Sequence, residues 1–136
     1  MVLRELGKLK EAEAEHDAIL KISAHVLGPR DPDTLTARAN LAGSTGEAGN
    51  PGRARDLFAE LLPDVERVLG PDHPETLKAR TNLAYWTGEA GNPGRARVLF
   101  AELLPNVERV LGSSHPATVR ARNNLVLWTD RMGDPS

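Results

Sequence analysis

Apolar residues along this chain recur at helical spacing and never alternate with period two for long, so strand signals are absent. The clearest stretch is 74–90. There Ala79, Leu83, Trp86 and Ala90 follow one another at intervals of four, three and four. Pro74 suits a first helical turn, where a missing N–H costs nothing. Asp72 or His73 is placed to cap that helix, and Asp31 is the better cap in the preceding copy. Gly91 is a stop, Asn92 a new cap and Pro93 a new start. The next stretch, 93–111, carries Ala96, Leu99, Phe100, Leu103, Leu104, Val107, Val110 and Leu111 before Gly112 ends it. So wide a stripe predicts a helix covered on more than one side. Small residues Ala84 and Ala96 would let the two helices approach closely.

This pair of helices is duplicated. The string GEAGNPGRAR occupies 46–55 and again 88–97, and 32 of 42 positions agree between 46–87 and 88–129. The same offset reaches back more weakly: Leu27-Gly28 matches Leu69-Gly70, and Ala12 matches Ala54 and Ala96. A period of this size predicts stacked supersecondary units. The expected fold is all-α, a single array over 1–136 built of antiparallel helix pairs. It divides into a partial repeat at 1–28, repeats at 29–70 and 71–112, and a partial repeat at 113–136. Six helices are expected, the first over 8–27, with residues 1–6 as the tail of an otherwise missing helix. The last, 116–132, lacks a partner before the Gly133–Ser136 tail. The outline looks like a slice from a longer array.

Pro63 and Pro105 fall inside second helices and predict a kink without a break, because apolar spacing stays in phase through Val65, Val68 and Leu69. Trp86 and Trp128 lie on the apolar stripe and are expected in the core. The unpaired last helix is nevertheless expected to expose Leu125, Trp128 and Met132, and the first helix parts of Ile19, Leu20, Val26 and Leu27.

Composition narrows the function. Apolar residues make up 40% and charged residues 26%, enough for a core with a soluble surface. The formal net charge is −2, which offers no footprint for nucleic acid or an acidic membrane. Cysteine is absent, removing disulfides and thiolate chemistry. Met1 to His16 is charged throughout and lacks a signal-peptide core, so a cytoplasmic location is expected. His73 and His115 recur in linkers without a third ligand, so they are read as caps, with no metal and no cofactor. Repeated carboxylates at one repeat position lack the asymmetric environments of a catalytic pair, so no enzyme activity is expected.

The residues Leu83, Ala84, Ala96 and Phe100, repeated as Leu41, Ala42, Ala54 and Phe58, resemble the tetratricopeptide repeat in its 42-residue, kinesin-light-chain-like form. The linker Leu69-Gly70-Pro71-Asp72-His73-Pro74 and its partner Leu111-Gly112 to His115-Pro116 resemble the same form. Arg38, Arg80 and Arg122 depart from the family pattern, as does His16 in the place of Phe58 and Phe100. The resemblance implies a right-handed superhelical solenoid whose first helices line a concave face, serving as a protein-interaction scaffold. Near-identical repeats of this kind also resemble the sensor arrays of bacterial signal-transduction ATPases, although the chain holds no phosphate-binding GxxxxGK[ST] loop.

On the first helices a stripe separate from the apolar one is expected to face the groove. It comprises Lys78, Asn82, Tyr85 and Glu89; before them Thr36, Asn40, Gly43 and Glu47; after them Arg120, Asn124, Leu127 and Arg131. The spacing Lys78-x-x-x-Asn82 and Arg120-x-x-x-Asn124 resembles the carboxylate clamp of peptide-binding members. A cation attracts a carboxylate, and an amide can both donate to and accept from an extended backbone. The bland reading is a solvated helix face copied by duplication. Tyr85 could stack on a ligand side chain. Arg38, Arg80 and Arg122 are read first as partners for Glu66, Glu108 or other carboxylates. The expected partner is a protein or peptide carrying carboxylates, not nucleic acid or membrane. Self-association through the terminal helices, head-to-tail or as a dimer, and a sensor role within a larger ATPase are the alternatives.

Overall fold

A computed structural model describes residues 2–132. Met1 and the 133–136 tail lie outside the described residues. Six helices follow in order: α1 (Leu3–Leu27), α2 (Pro32–Glu47), α3 (Pro51–Leu69), α4 (Pro74–Glu89), α5 (Pro93–Leu111) and α6 (Pro116–Met132). No strand occurs among the described residues. Each helix packs on its neighbours in sequence, and α2–α4 and α4–α6 also touch laterally, one repeat apart. That is the packing of a helical-hairpin solenoid, in which every unit leans only on adjacent units.

Local chemistry sets the helix ends. Asn50 and Asn92 accept from the backbone N–H of Arg53 and Arg95, and Pro51 and Pro93 follow each cap. His73 is the cap of α4: its Nδ1 accepts from the Glu75 N–H at 3.0 Å, and His115 does the same for Ala117. Asp31 fills this place for α2. Both linker histidines are therefore spoken for by helix starts. Gly49 and Gly91 each turn the hairpin with φ 104°, a conformation that side chains resist. α3 and α5 run on through Pro63 and Pro105.

Two expectations at the ends need correction. α1 is one unbroken helix from Leu3, so residues 3–7 join it instead of forming the tail of another. Nothing obstructs this: Gly7 lies in open space, and a helical continuation needs no turn. Trp128 is not exposed; it is 1% accessible, although Leu125 is half-buried and Met132 is 47% exposed.

The reason is a socket between neighbouring repeats. A Cβ placed on Gly88 would lie 2.5 Å from the Trp128 ring, and one on Gly46 would lie 2.5 Å from Trp86. Each indole therefore rests against the bare backbone of the first helix one repeat earlier, in the same orientation. Trp86 packs against the apolar cluster that contains Phe58, and Trp128 shares a cluster with Phe100. The Trp128 Nε1–H finds no acceptor. An orphaned donor costs about 1–3 kcal/mol. Burying about 150–250 Å² of ring at about 25 cal/mol per Å² returns about 4–6 kcal/mol, so packing wins.

Candidate functional site

The lateral contacts leave two register-equivalent clefts on the first-helix face. The α2–α4 cleft encloses about 280 Å³ and is lined by Thr36, Asn40, Gly43, Glu47, Lys78 and Asn82 over Leu35, Phe58, Leu61 and Val65. The α4–α6 cleft encloses about 580 Å³. Lys78, Asn82, Tyr85, Arg120 and Asn124 line it over Leu77, Val107 and Leu111. Every residue expected of the groove except Glu89, Leu127 and Arg131 thus borders one cleft or the other. Glu75 lines both clefts and His115 the second. Glu75 was not singled out from the sequence, although it lies three residues before Lys78 and hence on the same face.

The polar groups differ in how free they are. Lys78 and Arg120 are exposed, and among the described residues neither forms an ion pair. The Asn82 Nδ2 donates to the Lys78 carbonyl at 3.1 Å, and the Asn124 Nδ2 to the Arg120 carbonyl at 2.9 Å. One amide hydrogen of each is therefore spent on its own helix. The oxygen and the second hydrogen stay available, so these asparagines present acceptors more than donors. Thr36 likewise bonds its own helix, its hydroxyl donating to Pro32 O at 3.2 Å.

Tyr85 stands edge-on to Trp86 at 4.9 Å and to Trp128 at 6.4 Å. Burial and the Glu89 carboxylate push its phenol above the usual value, with Arg131 opposing, so it remains a neutral donor at the cleft wall. Glu89 has left the cleft: it pairs with Arg131 at 3.6 Å, and the Arg131 guanidinium lies 4.6 Å over the Trp128 ring.

The three arginines that break the family pattern are placed outside the clefts. Arg38 donates to Asp64 at 2.8 Å, not to Glu66, and Arg30 and Arg67 lie at 3.5 and 3.9 Å from the same carboxylate. The Arg38 hydrogen bond holds the Asp64 carboxyl below its ordinary value. Arg122 pairs with Glu108 at 3.3 Å. At the step between, Asn106 stands where Asp64 stood, and Arg80 forms no ion pair among the described residues. Deciding between Glu66 and Asp64 required the helix crossing, because the two residues differ by half a turn.

Among the described residues no group of three or more histidines and carboxylates could hold a metal ion. No described helix is long and apolar enough to cross a membrane.

Comparison with known proteins agrees with this architecture. Among solved structures, the nearly identical TPR-like repeats of a candidate kinesin light chain from Podosopora anserina superpose with a TM-score of 0.85 at 22% identity. They cover 93% of this chain and 60% of theirs. The BtubC (BKLC) protein of P. vanneervenii gives a TM-score of 0.81 at 22% identity, covering 94% of this chain and 51% of its own. The chain thus spans about 60% and 51% of the lengths of these two relatives, and the likeness bears on the fold. Among curated proteins no sequence matches. The profile of the tetratricopeptide repeat matches residues 1–64 and 40–108, and with its paired helices and 42-residue period the chain belongs to the tetratricopeptide repeat family.

Proposed function

We propose that the concave face holds a segment of another protein, with the α4–α6 cleft as the main seat for its carboxylates. One observation carries this reading. Two cations free of ion pairs, Lys78 and Arg120, border a single cleft whose floor is apolar and whose walls carry Asn82, Asn124 and Tyr85. Repeats of this family generally mediate protein–protein contacts, which supports the class of partner. An apolar floor beneath polar rims suits a polypeptide with acidic and apolar side chains. The back-bonded asparagines would offer their oxygens to backbone N–H groups of the bound segment.

The test uses fluorescent peptides of mixed acidic and apolar residues, with charge-reversed peptides as controls, and reads anisotropy. Lys78→Ala combined with Asn82→Ala should weaken capture of the acidic peptides about tenfold or more, as loss of a charge-assisted contact implies. Helicity by circular dichroism should not change. Equal affinity of the variant, or equal capture of charge-reversed peptides, sinks the reading.

Self-association by extending the array is the competing reading, and two side chains weigh against it. Ala42 and Ala84 are fully buried where a first helix meets its second helix, but α6 carries Val126 there. Gly46 and Gly88 receive the next indole, but α6 carries Asp130 there. A further unit stacked in the same way would meet a larger side chain at both places.

A further inference from the structure

Trp128 lies on α6, the last described helix, yet is 1% accessible, whereas Trp86, on α4, is only half-buried. Both rings rest on a glycine in the same orientation, so the difference lies on their outer sides. Over Trp128 lies the Arg131 guanidinium, anchored by Glu89, and Tyr85 closes the flank. Shifting this set back by one repeat gives Trp86 for Trp128, Glu47 for Glu89, Gly43 for Tyr85 and Glu89 for Arg131. The ring and the anchoring carboxylate persist. The cation does not, and Gly43 brings no phenol to the flank that Tyr85 closes on Trp128, although Tyr85 itself stands edge-on to Trp86 at 4.9 Å. A Cβ on Gly43 would meet nothing within 4 Å, so the flank is open space. Glu47 is exposed and forms no ion pair among the described residues. Gly43, Ser44 and Glu47 border the open α2–α4 cleft.

We infer that Trp86, Glu47 and Glu89 form a guanidinium site that takes an arginine side chain of a partner polypeptide, in the place Arg131 occupies one repeat later. An aromatic face attracts a cation, and a carboxylate beside it fixes a guanidinium by hydrogen bonding. Arginine suits the site better than lysine because its flat fork can lie on the indole and reach Glu47 together. Open access through Gly43 admits the side chain from the groove. The site stands apart from the proposed carboxylate seat: it uses the opposite ends of the first helices and none of Lys78, Arg120 or Asn124. A bound segment satisfying both would carry an arginine toward the α2–α4 step and acidic residues toward the α4–α6 step.

The test follows the two indole Nε1–H signals of the full chain by NMR, assigned with Trp86→Phe, while acetyl-Gly-Arg-Gly-amide is added. The Trp86 signal should shift saturably and the Trp128 signal should stay. The citrulline analogue, neutral but equal in shape, should leave both in place. Glu47→Gln should weaken the response about fivefold or more, in line with removal of an exposed ionic anchor. Glu89→Arg, which supplies the guanidinium within the chain, should abolish the response and protect Trp86 from acrylamide quenching. The Lys78→Ala, Asn82→Ala variant should respond like the parent, which separates failure here from failure of the carboxylate reading. Equal shifts with the citrulline peptide, no Trp86 shift at high peptide concentration, or an unchanged response in Glu47→Gln would each overturn the site. A larger response to free arginine than to the peptide would overturn the assignment to a partner chain.

Discussion

The junction around α6 and the junction around α1 are built on one register but held together differently. At the first, Phe100 and Trp128 fill a socket floored by Gly88, and the aromatic pair is sealed from water. At the second, the same positions carry His16 and Ser44, joined by a hydrogen bond between the imidazole Nδ1 and the hydroxyl. α1 contributes no fully buried residue, and Ile19, Ile22 and Val26 remain exposed. Ring burial is worth several kcal/mol, while one net hydrogen bond is worth about 1 kcal/mol. In an array held by nearest-neighbour interfaces, the weaker interface opens first. α1 is therefore the more weakly held helix, and α4 to α6 form the firm end.

Three substitutions and one control sharpen or break that contrast. Trp128→Ala should have the largest effect, about 3–5 kcal/mol by chemical denaturation, because a large aromatic leaves a cavity that the socket cannot close. A loss below about 1 kcal/mol would mean that the firm end is not firm. Gly88→Ala comes next. Its Cβ would enter the Trp128 ring at 2.5 Å, and overpacking of this kind costs about 1–3 kcal/mol despite the better helix propensity of alanine. Gly7→Ala, where nothing lies within 4 Å, is its control and should be neutral or stabilising. His16→Ala should be smallest, about 1 kcal/mol, and should raise amide exchange in α1 while leaving α5 and α6 unchanged. Equal exchange increases at both ends would show the array melting as one unit.

The same contrast measures how much could be read beforehand. Helix positions, the caps Asn50 and Asn92, the stops and the 42-residue period were legible because each depends on residues within a few turns of one another. The clefts were legible nearly as well, since residues four and three apart on a helix must share a face. What escaped were the contacts between residues on different helices, from Arg38 with Asp64 to Glu89 with Arg131. Gly88 read as part of a repeated string, yet it is the floor under Trp128. Arg131 read as a groove cation, yet it covers an indole and draws Glu89 away. Asp64 was passed over for Glu66 because only the helix crossing brings it to Arg38.

By itself the sequence determined six amphipathic rods, their ends and their repetition, because hydrogen bonding and side-chain periodicity along a helix are local. Only the tertiary structure decided which indole is sealed, which is left half-open, and which cations stay free of partners. Those outcomes depend on the rotation and offset between neighbouring units, and a single changed side chain at a crossing, Gly43 for Tyr85 or Glu89 for Arg131, reverses them.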